Sequence, residues 1–299
     1  MAIPYMGSKR KLAKPIIDYI CAQNPNAKYF YDLFGGGGAI SFEALKRKQF
    51  EKVQYNELNT GVVELLKKIR NDGVTPDFYN WVSRDKFNAH KKDPTWYGGL
   101  LATCWSFGNN QKSYLYSKGI EYEKLLYHNV CVNLCIDSLR ELNNLGANIP
   151  IKVFEVKGIQ ERRLFCKKFF NKRLDLQRLE HLERLERLQH LERLQHLEVS
   201  NLSYEEVIID TPINETVIYC DPPYKGTGKY QKDISHNDFL DFVKSSPYKI
   251  YVSSYDFDLP CVFSMQHRST LSAINNSKKV LENLYCNRLE SPIKPLTLF

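Results

Sequence analysis

The sequence lacks any long apolar segment. No apolar run among its 299 residues approaches the ~20 residues that a helix needs to cross a bilayer. The opening segment, MAIPYMGSKRKL, has no apolar core of the kind found in secretory signal peptides. Both absences argue against membrane and secreted proteins, so we expect a cytoplasmic protein with no membrane partner.

Clustered cysteines are absent as well. The chain has eight scattered cysteines, at positions 21, 104, 131, 135, 166, 220, 261 and 286. None of their spacings is typical of a zinc site, and Cys131 with Cys135 is too weak a cluster to indicate one. We therefore expect neither disulfides nor a metal centre, as is usual in a reducing compartment.

The remaining composition is that of an ordinary globular protein, with 43% hydrophobic and 25% charged residues. A chain of this length can bury one substantial core and carry a second, smaller lobe. The net charge of +8 and the isoelectric point near 8.9 favour a polyanionic partner, although mildly basic enzymes are also common.

The most informative segment is Asp-Pro-Pro-Tyr at residues 221–224. It follows the apolar run from Val217 to Cys220, which predicts a buried strand of a parallel sheet. Open α/β sheets bind ligands at the carboxyl ends of their strands, and two prolines fix the turn while supplying no N–H group. The Asp221 carboxylate and a proline carbonyl then become rigid acceptors beside the Tyr224 ring. They suit a planar amine such as the N6 group of adenine, and an ordinary strand-ending turn is the alternative interpretation.

Residues 28–38 read as a strand that runs into four consecutive glycines, with a helical pattern after them. Glycines let the backbone turn sharply and approach a ligand closely. The spacing is Phe-x-Gly-x-Gly, from Phe34 through Gly36 to Gly38, which is neither the Gly-x-Gly-x-x-Gly fingerprint nor a P-loop. This loop alone is weak evidence for a bound nucleotide.

The next predicted strand, residues 51–57, ends in Glu57. An acidic side chain at the end of the second strand can accept hydrogen bonds from ribose hydroxyls. A solvated surface glutamate is the alternative interpretation.

Four short motifs therefore occur in a fixed order along the chain: PYMGSK at 4–9, DLFGGGG at 32–38, NELN at 56–59 and DPPY at 221–224. This order resembles that of the Dam-like, alpha-group DNA adenine-N6 methyltransferases, and the likeness covers residues 1–75 and 197–260 well. It implies an α/β fold, a Rossmann-like methyltransferase sheet with an inserted, mainly helical target-recognition lobe. The implied domains are a catalytic domain at 1–75 and 197–299, a recognition lobe at 76–173, and a leucine-triplet repeat at 174–198.

The resemblance also implies that the cofactor is S-adenosylmethionine. By position, Lys9 would pair with its carboxylate and Glu57 would bind its ribose. Asn201 is a departure, because many relatives carry an acidic residue followed by Phe there, whereas this chain has Asn-Leu. The implied cofactor contacts are Tyr5, Gly7, Lys9, Asp32, Phe34, Gly36, Gly38, Glu57, Asn201 and Asp221.

The catalytic motif implied by the resemblance consists of Asp221, Pro222, Pro223 and Tyr224. Acceptors at Asp221 and the Pro222 carbonyl would localise the lone pair of the adenine amino group and stabilise the charge that develops on N6. The adenine would have to leave the double-stranded DNA, and Tyr224 would stack on it. Methylation of cytosine N4 or of an amide nitrogen, or a non-catalytic DNA-binding role, are the alternatives. Restriction, phage and housekeeping settings all stay open.

The middle of the chain predicts a DNA-facing surface. Its central loop combines aromatic rings, amides and a lysine, which can read base edges, neutralise phosphates and fill the gap left by an extruded base. The candidate DNA-binding residues are Ser106, Phe107, Asn109, Asn110, Lys112 and Tyr114. A second candidate is the basic run Arg162, Arg163, Lys167, Lys168, Lys172 and Arg173, for which a solvated charge run is the alternative.

The leucine-triplet repeat places Leu at every third position from 176 to 197. Its composition favours a helix, and Glu180–Arg184 and Glu183–Arg187 have the favourable i,i+4 orientation. Because a period of three falls back ~60° per leucine, the stripe should wind around the helix instead of forming one face. We therefore expect a projecting helix or spacer with no chemistry of its own.

Three further segments carry smaller expectations. Residues 250–256 should form a strand beside the catalytic strand. Thr227 and Tyr230 should lie in a loop that closes over the flipped base, and an ordinary polar loop is the alternative interpretation. The C-terminal residues 295–299 resemble peptides that dock on bacterial sliding clamps, and an apolar tail is the alternative.

Overall fold

The computed structural model describes residues 2–170, 178–189, 191, 194–224, 234–268, 279–288 and 296–298. The chain divides into two compact units. The first unit comprises Met1–Ala2, Gly7–Val63 and Arg193–Phe299, and the second unit comprises Ile3–Met6 and Glu64–Glu192.

The first unit is built on one sheet. Its strands are β1 (Tyr29–Asp32), β2 (Lys52–Asn56), β3 (Leu197–Ser200), β4 (Thr216–Cys220), β5 (Lys249–Ser254), β6 (Cys261–Arg268), β7 (Lys279–Cys286) and β8 (Leu296–Leu298). Among the described residues these eight strands pair in the order β3-β2-β1-β4-β5-β7-β6-β8. The pairs from β3 to β5 are parallel, whereas β7 is antiparallel to both β5 and β6. The expected α/β class is confirmed, and the mostly parallel sheet is consistent with a methyltransferase fold.

Strand β4 lies in the interior of this sheet, between β1 and β5. All five of its residues are buried, as the apolar run before Asp221 predicts. Its neighbour β5 pairs Ile250 with Ile218, so residues 250–254 form the expected strand beside β4, and residues 255 and 256 follow its end. Because parallel strands end at the same edge, the residues after β1, β2 and β4 lie on one side of the sheet.

The helices are α1 (Ala13–Gln23), α2 (Ala39–Ala44), α3 (Thr60–Asp72), α4 (Arg84–His90), α5 (Trp96–Cys104), α6 (Glu121–Cys131), α7 (Ile136–Asn144), α8 (Ile159–Lys167), α9 (Glu180–Gln189) and α10 (His236–Ser245). In the first unit, α10 packs Phe239 and Val243 into a core shared with Tyr31, Ile218 and Val252. In the second unit, helices α4 to α9 surround buried aromatic side chains that include Trp105 and Tyr127.

The leucine-triplet repeat differs from its expected form. In its described part, residues 180–189 form an α-helix, residues 194–196 form a short 3-10 turn, and β3 begins at Leu197. The expectation of a projecting helix is wrong, because α9 packs into the second unit, where Leu182, Leu185 and Leu188 are buried. The described leucines are all buried: Leu179, Leu182, Leu185, Leu188, Leu191, Leu194 and Leu197.

The remaining expectations concern the C-terminal segment, four individual residues, membrane helices and the cysteines. Residues 296–298 form edge strand β8, paired with β6, and the sliding-clamp contact stays a prediction. Thr227, Tyr230, Lys172 and Arg173 lie outside the described residues. Within the described chain, no helix combines the length and apolarity needed to cross a bilayer. All eight cysteines are free thiols.

Candidate active site

The Asp221 turn begins where buried strand β4 ends. Pro222 is buried, whereas Asp221, Pro223 and Tyr224 are partly exposed. The Tyr224 ring meets the ring of Tyr255, which follows β5, edge to face with the centroids 4.7 Å apart. The turn is therefore held between the strand below it and an aromatic contact from the neighbouring strand.

A cluster of charged side chains surrounds this turn. The Lys9 Nζ atom lies 2.9 Å from Asp221 Oδ1 and 3.5 Å from Glu282 Oε1. It also donates to the Tyr224 hydroxyl at 2.5 Å, and that hydroxyl donates in turn to Glu282. One ammonium group thus bridges two carboxylates, and the phenol of the motif completes the network.

Burial and two neighbouring charges shift the pKa of Asp221. Burial raises the pKa of its carboxyl, Glu282 raises it further, and Lys9 opposes both, so that the pKa stays above its ordinary value. The pKa of Tyr224 is also raised, chiefly by burial and then by the two carboxylates. Tyr224 is therefore a neutral phenol that can donate its O–H hydrogen, while Lys9 favours the ionised form of Asp221.

Asp32, at the end of β1, is a second buried carboxyl in the first unit. Its Oδ2 accepts from the Ser41 hydroxyl at 2.7 Å, whereas Oδ1 is buried without a hydrogen-bond partner in the described structure. Burial raises the pKa of Asp32 to about 7, and the charges of Asp221 and Glu57 contribute. An unsatisfied buried acceptor is costly, so this oxygen is suited to a cationic ligand group.

The glycine loop after Asp32 is shaped by close packing. A Cβ atom at Gly35 would lie 2.2 Å from the Tyr55 ring, and Gly38 adopts a left-handed φ of 75° next to the Phe42 ring. Larger residues are therefore excluded at both positions. Gly36 also has a positive φ, and Phe34 packs against the rings of Tyr204 and Phe239.

Glu57 is held against this loop. Its carboxylate accepts from the backbone N–H groups of Gly36, at 2.7 Å, and Asn59, at 2.8 Å. Asn201 supports the same turn, because its amide donates to the carbonyl oxygens of Glu57 and Leu58 and accepts from the Thr60 hydroxyl. Contacts of Glu57 and Asn201 with a cofactor stay predictions.

The two remaining predicted cofactor residues lie near the start of the chain. Gly7 belongs to the first unit and has a left-handed φ of 75°, which favours glycine. Tyr5 belongs to the second unit. The structure therefore brings Lys9, Asp221, Tyr224 and Glu282 into direct contact, and it joins Glu57 to the glycine loop.

The candidate DNA-binding residues form a structured loop in the second unit, residues 106–114, which we call the recognition loop. Phe107 is 65% exposed at its tip, and Lys112 is also exposed. Asn110 instead accepts from the backbone N–H groups of Lys112 and Ser113, and the side chain of Asn109 is partly exposed. Sequence reasoning placed all six residues on DNA, but the structure exposes only some of them.

Two of those six residues are buried at the base of the loop. The Ser106 hydroxyl donates to Ala102 O and accepts from Gln111 N, while the Tyr114 hydroxyl donates to Val82 O. These side chains therefore support the loop in this structure, and their contact with DNA stays a prediction.

A cleft of about 730 Å³ opens beside the recognition loop within the second unit. Four cationic residues line it, together with one carboxylate, and the Tyr114 ring lies under the Arg84 guanidinium at 4.8 Å. The charged lining residues are Arg84, Lys112, Lys124, Arg184 and Glu180. Arg84 is paired with Glu121 at 2.9 Å and Arg184 donates to Ser106 O, so the exposed Lys112 is the lining cation best placed for a phosphate group.

The expected phosphate-binding run on α8 is wrong for its two arginines. Arg162 donates to the carbonyl oxygens of Cys131 and Val156, and Arg163 pairs with Glu183 at 2.9 Å. Both side chains are buried and donate to groups inside the protein, so they do not form an exposed phosphate-binding surface. Lys167 and Lys168 are exposed, in agreement with a solvated charged surface.

Glu282 is the site residue that sequence reasoning missed. It lies 61 residues after Asp221 on β7, and none of the four motifs includes it. One signal was present, because residues 280, 282, 284 and 286 share a strand face and three of them are Val, Leu and Cys. A carboxylate on an otherwise apolar face of a strand is unusual and indicates a buried partner.

Comparison with known proteins places these observations in a family. The family model of the D12 class N6 adenine-specific DNA methyltransferases matches residues 5–133 and 157–286. A search of curated proteins found no match to the chain. The family match spans the Asp221 turn, the glycine loop, the recognition loop and Glu282.

Proposed function

The chain belongs to the D12 class of N6 adenine-specific DNA methyltransferases, and from this premise we propose how its site methylates DNA. The proposed reaction transfers a methyl group from S-adenosylmethionine to N6 of an adenine that has left the duplex at a specific DNA sequence. The family description favours adenine over cytosine N4 or an amide nitrogen. The order of the four motifs supports the finer assignment to the Dam-like, alpha group.

The observation that carries the mechanism is the Asp221 turn with its bridging lysine. Asp221 and the Pro222 carbonyl supply acceptors for the two N–H bonds of the amino group, and the prolines hold them rigidly. These acceptors localise the nitrogen lone pair and stabilise the positive charge that develops on N6. The methylated nitrogen is strongly acidic while it carries that charge, so its excess proton leaves without a strong base.

The residues of the first unit fit S-adenosylmethionine. The orphaned Asp32 Oδ1 suits the ammonium group of the methionine moiety, and the glycines leave room for close backbone approach. Glu57 keeps further lone pairs for ribose hydroxyls, and Gly7, Phe34 and Asn201 are the other proposed contacts in this unit. Tyr5, which belongs to the second unit, is proposed from its motif alone. When bound, the cofactor supplies an activated sulfonium methyl group, so the protein mainly aligns the reacting atoms.

We propose that Lys9 stabilises the Asp221 carboxylate, which accepts from the adenine amino group, as well as binding the cofactor. Its ammonium group lies on Asp221, where it favours the carboxylate form that hydrogen bonding to N6 requires. Tyr224 is fixed by its hydroxyl contacts with Lys9 and Glu282, which leaves its ring as the proposed stacking surface for the extruded base.

The second unit is the proposed recognition lobe, with residues 76–173 facing double-stranded DNA. The exposed Phe107 and Lys112 and the cationic cleft support this role. An aromatic ring can occupy the gap left by a flipped base, and the cations can neutralise phosphates. The wider candidate set also includes Ser106, Asn109, Asn110 and Tyr114.

The direct test is transfer of a labelled methyl group to DNA by Asp221→Asn. This change keeps the shape of the side chain but removes the charge, and loss of one electrostatic stabiliser of the transition state should lower kcat by about 100-fold or more. Binding of S-adenosylmethionine should largely survive. Asp258→Asn is the matched control, because it removes an exposed carboxylate that pairs with Lys244 in the same unit. Near-normal turnover by Asp221→Asn would refute the assignment.

A further inference from the structure

Helix α9, which carries the leucine-triplet repeat, contacts both ends of the recognition loop. Its leucines Leu182, Leu185 and Leu188 are buried, and so is the side chain of His181. His181 and Arg184 each precede a buried leucine, one triplet apart. These two residues meet the chain on either side of residues 106–114.

Arg184 holds the first end of the loop. Its Nη1 atom donates to Ser106 O at 2.7 Å and to Cys104 O at 3.0 Å, and Thr103 O lies 3.4 Å away. Residues 103 and 104 end α5, where carbonyl groups lack partners within the helix and favour a nearby cation. The guanidinium group therefore caps α5 and fixes the carbonyl at the start of the recognition loop.

His181 holds the other end. Its Nδ1 atom is 2.7 Å from the hydroxyl of Tyr116, two residues beyond the loop. Its ring stacks on Trp105, which directly precedes the loop, with the centroids 4.2 Å apart. Residues 106 and 114 are joined by a β-bridge, so both strands at the base of the loop meet α9.

The recognition loop has a backbone that needs such support. Gln111 adopts a left-handed φ of 60°, which is uncommon for residues other than glycine, whereas asparagine tolerates the φ of 57° found at Asn109. The loop also presents the large, exposed side chain of Phe107. Strained backbone of this kind persists only when the surrounding structure fixes it.

We propose that α9 is a clamp that sets the conformation of the recognition loop, with Arg184 and His181 as positioning residues for DNA binding. The triplet repeat is then part of the DNA-recognition apparatus and not a spacer. This inference rests on the proposed function, because it takes residues 106–114 as the DNA-contacting loop.

Arg184 also lines the cationic cleft, so a direct contact with DNA phosphate is the competing explanation. The two roles differ in their salt dependence. Loss of a phosphate contact lowers the slope of log affinity against log salt by about one, whereas loss of a positioning residue weakens binding without changing that slope.

The test compares Arg184→Gln with Arg140→Gln, which removes an exposed arginine paired with Asp137 in the same unit. DNA binding is measured across salt concentrations with a duplex that the wild-type protein methylates. Hydrogen exchange is followed at residues 103–117, and S-adenosylmethionine affinity reports on the rest of the protein. We expect Arg184→Gln to bind DNA about 10-fold more weakly or worse, because hydrogen bonds from a charged donor are lost. Its salt slope and cofactor affinity should be unchanged, with faster exchange confined to the loop and its base.

Wild-type exchange and DNA affinity in Arg184→Gln would overturn the clamp, and so would a salt slope lowered by about one. If Arg184→Gln fails to fold, Arg184→Lys is measured instead, because it keeps the charge but loses the planar fork. Faster loop exchange together with weaker DNA binding in that variant supports the clamp, and wild-type values of both overturn it. Failure of the wild-type protein to bind or methylate DNA would instead refute the proposed function, while exchange at residues 103–117 would still test the clamp.

Discussion

At the scale of single residues, the proposed chemistry requires that the partly buried carboxylate of Asp221 stays available as an acceptor. Burial and Glu282 both raise the pKa of Asp221, and Lys9 is the cation that opposes them. A carboxylate that became protonated would lose one acceptor for the adenine amino group. Lys9 thus connects the motif at residues 4–9 with the motif at residues 221–224.

The first prediction concerns Lys9→Gln. Without the ammonium group the pKa of Asp221 rises further, because burial and Glu282 act unopposed. Activity requires the ionised form, so the acid limb of the kcat–pH profile should move to higher pH. The measurement is kcat from about pH 5 to pH 9, the range in which perturbed carboxyl groups titrate. Lys14→Gln is the control, since Lys14 forms an exposed pair with Asp18. An unmoved acid limb would contradict this role of Lys9.

The second prediction concerns Asp32, whose pKa is raised by burial to about 7. Its charged form predominates only above that pH, and a cationic ligand group favours the charged form. Affinity for S-adenosylmethionine should therefore increase as pH rises through about 7, and Asp32→Asn should bind more weakly and lose this increase. Calorimetric titration of both proteins isolates Asp32, because the amino group of the ligand titrates equally in each. Parallel pH profiles would contradict the assignment.

The sequence predicted most of these site residues but not their contacts. The Asp221 turn, the glycine loop and Glu57 were predictable because each follows a strand, and strand ends meet at one edge of a parallel sheet. Glu282 was not, because its strand pairs antiparallel to β5 and no motif surrounds it. The contact of Lys9 with Asp221 joins residues 212 positions apart, which residue spacing alone does not predict.

At the scale of elements, the strands followed their sequence patterns and α9 did not. Strand-like segments that run up to an acidic residue correctly indicated β1, β2 and β4. The triplet repeat misled because the ~60° drift per leucine suggested that one side of the stripe would face solvent. Tertiary packing instead buries Leu182, Leu185 and Leu188 of α9.

The third prediction tests this packing with Leu185→Ala. Leu185 is fully buried, so its truncation should lower the free energy of unfolding by about 2–5 kcal/mol. Leu164→Ala on α8 is the control, because that side chain is 47% exposed and should cost far less. Denaturant unfolding followed by circular dichroism measures both. Equal, small effects would mean that the repeat is the solvated spacer suggested by its low complexity.

At the scale of the whole molecule, each unit has its own core and its own buried ionisable groups. In the second unit, His128 Nδ1 lies 2.9 Å from His181 Nε2, and both rings are buried. Burial lowers the pKa of His128 to about 4, and burial followed by the charge of His128 lowers that of His181. Both histidines are neutral in the folded protein near neutral pH.

The fourth prediction follows from this pair. Below a pH of about 6.5 the unfolded chain takes up protons on these histidines that the folded chain does not, so stability falls as pH decreases. For His128 the loss should be about 1.4 kcal/mol per pH unit between roughly pH 6 and pH 4, and His181 should add to it. His128→Gln should flatten this dependence relative to the wild-type protein when denaturant unfolding is measured across the range. An unchanged slope would show that the pair does not control acid stability.

The most direct test of the central claim is a map of modified bases in DNA from cells that express this chain. We predict N6-methyladenine at one recurring sequence with the wild-type protein and, at matched expression, far less of it with Asp221→Asn, whose kcat should be lower by about 100-fold or more. Methylated cytosine in place of adenine, or equal adenine methylation by the variant, would contradict it.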